Sequence, residues 1–194
     1  MRSNDSTLPA KRSAILETTL DLISNRGFHN TPMSAIARES GVSTGIIYHY
    51  FANKDDLILE LYKEIKIKMI RVVLESYSNQ VPYKERFLLV WNHLIRYYIN
   101  HPKDVNFLEQ FENSPYNDPN FQEVFRDELT PFITSFFVQG IQEGVLKNIP
   151  LEISTELSFG IAISLAKQHI RGVIKLDDEL IDVAANASWD ALKK

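Results

Sequence analysis

Residues 31–57 read TPMSAIARESGVSTGIIYHYFANKDDL, and their pattern is the most informative part of the sequence. Apolar residues recur at helical spacing in two short segments of it, which Gly41 separates. Two short helices joined by a glycine-containing turn are typical of a helix-turn-helix, so we predict this motif over residues 32–51. Asn53, followed by two aspartates, predicts the N-terminus of a further helix, because carboxylates stabilise the first turn.

The second helix of the predicted motif has two different faces. Ile47 and Phe51 lie one turn apart and can dock the helix, whereas the other face is small at its start and aromatic or polar at its end. Small residues let a helix approach base edges closely, and hydroxyl and imidazole groups can bond bases or phosphates. The helix N-terminus, like the start of the next helix, favours phosphate. This reasoning gives as candidate DNA contacts Ser43, Thr44, Gly45, Tyr48, His49 and Lys54.

Helical periodicity continues along the rest of the chain, and no alternating strand pattern occurs. Beyond the motif we predict helices over roughly 54–75, 83–100, 105–113, 119–143, 151–171 and 177–192, with an earlier one that Gly27 ends. The sequence therefore predicts an all-α protein. Its two domains are predicted to be a three-helix N-terminal domain over residues 1–54 and a helical domain over residues 55–194.

Composition excludes several classes of protein. The 194 residues include no cysteine, so neither a disulfide framework nor a thiolate metal site is possible. No apolar run approaches the roughly 18 residues that span a bilayer, and residues 1–6 lack the apolar segment of a secretory signal. We therefore expect a cytoplasmic protein without a membrane partner. The five histidines are scattered, and HExxH, G-x-S-x-G and phosphate-loop motifs are absent, so we expect no enzyme, no cofactor and no metal.

Charge is distributed unevenly along the chain. Residues 1–54 carry six basic and four acidic side chains, a balance of +2, while the remaining residues have a balance of -6. Ordinary surface variation would explain this asymmetry, as would a small nucleic-acid-facing module on an acidic body. Charge alone leaves the two interpretations open.

Residues 31–57 closely resemble the DNA-binding domain of TetR-family transcriptional regulators. The family's sequence of Ile-Ala, Gly-Val-Ser, Gly, a Leu-like residue before Tyr, then Phe, Lys, an acidic pair and Leu is met nearly in full. The preceding helix fits the family at Arg12, Ile15, Leu16, Leu20 and Gly27. Departures occur at Thr18-Thr19, where the family often has Ala-Ala, at Pro32, where a second Thr is frequent, and at Tyr50, where His is frequent.

The resemblance implies an Ω-shaped homodimer of about nine helices that reads a palindromic operator in double-stranded DNA. It implies that the C-terminal domain binds a small effector, which shifts the fourth helix and the spacing of the two recognition helices. We therefore expect a repressor that its effector releases. Thr31 would keep a hydroxyl for a phosphate, and Tyr50 would either contact phosphate or lie in the core. The alternative is a helical homodimer that has lost DNA binding and serves protein–protein contacts.

The resemblance also directs attention to two groups of residues in the C-terminal domain. An excess of aromatic residues in the fifth to seventh helices fits an apolar or aromatic effector, although such stripes also form cores. The predicted effector residues are Trp91, Leu94, Tyr98, Phe107, Phe111 and Phe125. The last two helices suit a four-helix dimer interface, with packing inside one chain as the alternative. The predicted interface residues are Leu157, Gly160, Ile161, Ser164, Leu165, Ile181, Ala184, Ala185 and Ser188.

Overall fold

A computed structural model describes the backbone of residues 7–75, 77–117 and 119–194, and the side chains of residues 9–75, 77–117 and 131–194. The helices are α1 (Thr7–Arg26), α2 (Met33–Ser40), α3 (Thr44–Tyr50), α4 (Lys54–Glu75), α5 (Tyr83–Asn100), α6 (Pro102–Glu112), α7 (Pro119–Gln142), α8 (Leu151–Thr155), a π-helical turn (Glu156–Gly160), α9 (Ile161–Ile170) and α10 (Asp178–Leu192). Because α8, the π-helical turn and α9 are continuous, the described ranges hold nine separate helical segments. The prediction of an all-α protein is confirmed.

Two compact units make up the chain. The first consists of Met1–Ile65 and Lys103–Gln122, and the second consists of Lys66–Pro102 and Glu123–Lys194. The predicted boundary between residues 54 and 55 therefore falls inside the first unit, which also includes the start of α4 and nearly the whole of α6. In the described part of the chain, no helix is both long enough and apolar enough to cross a membrane.

The first unit contains the predicted helix-turn-helix, formed by α2 and α3. Ile15 of α1, Ile36 of α2 and Ile47 of α3 are completely buried, so their side chains form a shared apolar core. Gly41 follows α2 with φ 67° and ψ 14°. This is the left-handed conformation that glycine adopts at little cost, which explains how the chain turns so tightly between the two helices.

The start of α2 shows where the Thr31 hydroxyl lies. Pro32, not Thr31, is its N-cap residue, and no side chain caps the helix. The Thr31 hydroxyl instead donates to the carbonyl of Gly27 at 2.9 Å, and Thr31 is completely buried. Thr31 therefore closes the turn after α1 and presents no hydroxyl to DNA, which corrects the phosphate contact expected for it.

The second unit is organised around α5, which packs against α9 and α10. Trp91 of α5 is completely buried, and its indole N–H donates to the carbonyl of Ser158 at 3.0 Å. Ser158 lies in the π-helical turn. A π-helical turn shifts the backbone hydrogen bonds of a helix by one residue. The buried Trp91 side chain of α5 is therefore bonded to the segment where the neighbouring helix is irregular.

Candidate DNA-binding and effector sites

The exposed face of α3 carries the side chains that the sequence placed there. Ser43 is the N-cap residue, and its side chain makes no capping bond. Thr44, Gly45 and His49 are exposed, and 51% of the Tyr48 surface is accessible. Apart from its chain neighbours and the backbone of its own helix, no described atom lies within 4 Å of the position that a Cβ at Gly45 would take. The face is therefore open, and its geometry suits a helix that enters a major groove.

Tyr50 stands between this face and the core. It is half-buried, and its ring centroid lies 5.6 Å from that of His49 and 6.2 Å from that of Phe51. Phe51 is almost completely buried, whereas His49 is exposed. Tyr50 therefore packs between the exposed His49 and the buried Phe51, at the edge of the α3 face.

Asn53 caps the N-terminus of α4, as the sequence predicted, and the structure adds reciprocal capping by Asp56. The Asn53 side chain accepts the Asp56 N–H at 2.8 Å, and the Asp56 carboxylate accepts the Ala52 N–H at 2.8 Å. Lys54 follows directly, and its ammonium group donates to the carbonyl of Phe28. These bonds place the half-buried cation of Lys54 at a defined point beside the end of α3.

Burial lowers the pKa of Lys54, and the nearby carboxylate of Asp55 opposes that change. A partly desolvated ammonium group gains more from an added anion than a fully solvated one does. The electrostatics of Lys54 therefore favour an anion such as a DNA phosphate beside it.

A cavity of about 180 Å³ lies in the second unit. Leu94 and Tyr98, two of the predicted effector residues, line it. The Tyr98 hydroxyl donates to the sulfur of Met69 at 3.0 Å, and a thioether is a weak acceptor. The remaining lining is mainly apolar and consists of Lys66, Met69, Ile70, Val73, Val90, Phe132, Ile133, Thr155, Glu156, Phe159, Gly160 and Ile163.

The other predicted effector residues occupy different places. Trp91 is a core residue of the second unit, as its complete burial and its bond to Ser158 show. Phe107 and Phe111 are buried in the first unit, where Phe111 stacks on Tyr62 with ring centroids 4.2 Å apart. The side chain of Phe125 lies outside the described residues. The structure thus brings two of the six residues to the cavity, and the sequence signal could not separate core aromatics from lining ones.

Three of the four predicted interface residues of α10 face the interior of their own chain. Ile181, Ala185 and Ser188 are buried within their own chain. The outward stripe of α10 lies one residue away at i, i+3, i+4 and i+7, and we call it the α10 stripe: Leu180, Val183, Ala184 and Ala187. Leu180 is 47% exposed and Val183 is 60% exposed. Only Ala184 of the four predicted α10 residues belongs to the α10 stripe.

The predicted interface residues of the preceding helical segment are accessible. Leu157, Ile161 and Leu165 are half-buried, and Ser164 is exposed. The close approach expected of Gly160 stays a prediction, and within the chain the Glu156 carboxylate takes the position next to its Cα where a Cβ would stand. The missing side chain at Gly160 therefore makes room for a neighbour on the same helix.

These features define a class of protein: a helix-turn-helix with an open recognition face, carried by a chain with a second, helical unit. Residues 15–61 match the family described as bacterial regulatory proteins, tetR family, and residues 82–193 match the family described as tetracyclin repressor-like, C-terminal domain. The chain belongs to the TetR family of transcriptional regulators. Proteins of this family bind DNA operators and act as dimers.

Individual relatives agree with this assignment. A TetR-family transcription regulator from Marinobacter aquaeolei is 26% identical, with a TM-score of 0.88 over 96% of this chain and 97% of its own. A TetR-family protein from Vibrio parahaemolyticus is 30% identical, with a TM-score of 0.78 over 95% and 99%. The fatty acid metabolism regulator protein of Bacillus subtilis is 27% identical over 84% of this chain and 79% of its own.

Proposed function

We propose that this chain is a cytoplasmic, dimeric repressor that binds a palindromic operator through α3 and is released by a small apolar or aromatic effector. The open polar face of α3 is the observation that carries the DNA-binding part. Ser43, Thr44 and Gly45 would lie nearest the bases, since no bulky side chain stands at that end. Tyr48 and His49 would read base edges or bond phosphates.

Lys54 is the proposed phosphate anchor of this interface. Its ammonium group is positioned by the Phe28 carbonyl and lies at the N-terminus of α4, where the helix dipole also favours an anion. A phosphate contact contributes affinity without reading sequence. Thr31 is left out of the proposed interface because its hydroxyl is buried.

The effector is proposed to occupy the cavity of the second unit. A volume of about 180 Å³ is close to that of an engineered apolar cavity of about 150 Å³ that binds benzene. The cavity therefore suits a single ring or a short chain. Similarity to a regulator of fatty acid metabolism supports a short acyl chain as one form of this effector.

Release from DNA needs only a preference of the effector for one spacing of the two recognition helices. A dimer reads two half-sites about one helical turn apart, or a multiple of that distance, so a small change in spacing loses register with both. An effector that binds better to the non-matching spacing shifts the population toward it.

The first test is the selection of duplexes from a randomised pool by the purified protein at physiological salt. Enrichment of one palindrome supports the proposed function, and its half-site spacing reports the distance between the two α3 helices. Absence of enrichment from a folded dimer free of bound small molecules would contradict it and favour the dimer that has lost DNA binding.

The effector part is tested on the selected operator with short-chain acyl compounds and single-ring aromatic compounds. We expect one group to release the protein, and Leu94→Phe, which narrows the cavity, to lose this response while operator affinity stays near that of the unchanged protein. Ser135→Ala, an exposed change on α7, is the control. An undiminished response of Leu94→Phe would show that the effector binds elsewhere.

A further inference from the structure

A larger cleft of about 570 Å³ lies entirely within the first unit. Three segments line it: the end of α1 and the turn after it, the start of α4, and the end of α6 with the loop that follows. Its lining residues are Arg26, Gly27, Phe28, His29, Asn30, Lys54, Asp55, Gln110, Asn113, Ser114, Pro115 and Tyr116. The volume falls within the range of small-molecule sites.

Bonds between the three segments hold the walls of this cleft in place. The Gln110 amide donates to the Ile23 carbonyl at 3.0 Å, which ties α6 to the end of α1. The Tyr116 hydroxyl donates to the Asp55 carboxylate at 3.1 Å, which ties the loop after α6 to α4. The Tyr116 ring also lies 5.2 Å from that of Phe28, centroid to centroid. The cleft is therefore formed before any ligand binds.

The charged groups around the cleft leave positive charge unbalanced. The guanidinium of Arg26 and the ring of His29 make no hydrogen bond or ion pair with any residue that the structure describes, and Lys54 donates to a carbonyl. Asp55 is the one carboxylate of the lining, and it already accepts the Tyr116 hydroxyl. Arg26, Lys54 and Asp55 together give the lining a net charge of +1, which matches a monoanion better than a dianion.

We propose that this cleft binds a small aromatic carboxylate, with its carboxylate held by Arg26 and Lys54 and its ring against Phe28 and Tyr116. A guanidinium bonds a carboxylate in bidentate fashion, and such charge-assisted bonds are among the strong ones. Aromatic side chains attract a planar ring through offset or edge contacts. Both kinds of group line the cleft.

Occupancy of the cleft would also oppose DNA binding, because the ligand would share the Lys54 cation with a DNA phosphate. This effect on DNA binding rests on the proposed function of Lys54, whereas the binding site itself does not. A ligand in this place would bridge α1, α4 and α6, so it would act directly on the unit that carries α3.

The test is calorimetric titration of the full chain with benzoate, its neutral analogue benzamide, and inorganic phosphate. We expect benzoate to bind once per chain and both comparison compounds to bind about tenfold more weakly or worse, because each lacks either the charge or the ring. Arg26→Gln should weaken benzoate by about tenfold or more. Arg71→Gln, an exposed arginine of the second unit, is the matched control and should leave benzoate binding unchanged.

Because the cavity of the second unit is proposed to take single rings, the titrations are repeated in the Leu94→Phe protein, which narrows that cavity and should keep the Arg26-dependent binding of benzoate. Equal binding of benzoate and benzamide in that protein, or an Arg26→Gln protein that binds benzoate as the unchanged protein does, would overturn the proposal. A benzoate titration that depends on Arg26 supports the site whether or not the protein selects a palindrome. The two experiments therefore distinguish a protein whose cleft does not bind benzoate from a protein that does not bind an operator.

Discussion

The Lys54 side chain has a structural role in the first unit and a proposed role in DNA binding. Its ammonium group fastens the start of α4 to the Phe28 carbonyl, and the same cation is proposed to hold a DNA phosphate. Its lowered pKa reflects partial burial against the opposing carboxylate of Asp55. Removing the side chain should therefore affect both DNA binding and the first unit's stability.

For Lys54→Ala we expect weaker binding to all duplexes alike, because a bond to phosphate carries no sequence information. The slope of log affinity against log salt should become shallower by about 0.9 for each phosphate that the protein no longer neutralises. Lys147→Ala is the matched control, since its ammonium also donates to a carbonyl, that of Ala191 at 2.7 Å, but in the second unit. An unchanged salt slope for Lys54→Ala would exclude the phosphate contact.

Two glycines allow a matched test of backbone strain. Gly27 has φ +77°, and a Cβ there would also lie 3.3 Å from the Gln110 side-chain oxygen, whereas Gly41 has φ +67° and open space around it. We expect Gly41→Ala to cost about 1–2 kcal/mol of unfolding free energy through strain alone. Gly27→Ala should cost more, since Gln110 must move. Chemical denaturation measures the unfolding free energy of both variants. Equal losses would show that the Gln110 side chain moves away from the new Cβ without a measurable energetic cost.

Ionisation of Tyr62 and Tyr116 lowers the unfolding free energy of the first unit at alkaline pH. Burial raises the pKa of each hydroxyl from 10 to about 12, and the Asp55 carboxylate adds to the effect at Tyr116. Between pH 10 and pH 12 the unfolded chain has lost the proton that the folded chain keeps, so unfolding free energy falls as pH rises. The contribution is fully present below pH 10.

We expect Tyr62→Phe to reduce this loss of stability between pH 10 and pH 12, because the substituted ring carries no proton to release. Urea denaturation at several pH values measures the slope. Ser135→Ala, which changes no titratable group, should keep the slope of the unchanged protein. If Tyr62→Phe also kept that slope, desolvation of Tyr62 would not be its cause.

At the scale of the helix, α10 shows what a sequence pattern can and cannot settle. Helical periodicity predicts its position over residues 177–192, and in the structure Asp177 caps it by accepting the Leu180 N–H at 2.9 Å. Small apolar residues lie on both of its faces, so composition did not distinguish the face toward α5 from the α10 stripe. Only the packing around Ile181 and Ala185 decides between them.

We expect the α10 stripe to form the dimer interface. Val183→Glu should weaken the dimer about tenfold or more, since in a two-fold interface each substitution is present twice. Val138→Glu, on α7 and also exposed, is the control. Analytical ultracentrifugation measures the dimer, and an unchanged dimer would place the interface elsewhere. Ile181→Glu, on the buried face, should instead lower the melting temperature.

Other features of the sites could be predicted to different degrees. The α3 face was predictable because one apolar stripe fixes the rotation of a short helix, and the recognition residues must then point outward. The cleft of the first unit was not predictable, because Arg26, Lys54 and Tyr116 come from three segments distant in sequence. The π-helical turn was also missed, since Glu156–Gly160 has ordinary helix-forming periodicity.

On the scale of the whole molecule, neither unit is one continuous stretch of chain. Phe107 of α6 packs edge-on against Phe28, with ring centroids 5.8 Å apart, and Phe107 is completely buried in the first unit. The integrity of the DNA-binding unit therefore depends on a helix that begins only at Pro102. A contact of this kind couples distant parts of the sequence in one folding unit.

We expect Phe107→Ala to remove about 3–5 kcal/mol of stability, as burial of a phenylalanine implies, and to raise amide hydrogen exchange in α1 to α3. Phe137→Ala, equally buried but in the second unit, is the matched control and should raise exchange there first. Hydrogen exchange by mass spectrometry resolves the two patterns. Equal exchange in α1 to α3 for both variants would show that the units do not open separately.

The discontinuous first unit also constrains how the protein is made. During synthesis, α1 to α3 leave the ribosome well before α6, at about 5–20 residues per second. A nascent chain that has reached only residue 65 therefore lacks Phe107 to cover Phe28, and Gln110 to bond the Ile23 carbonyl. The operator-reading part is translated first but cannot complete its folding until the ribosome has passed α6.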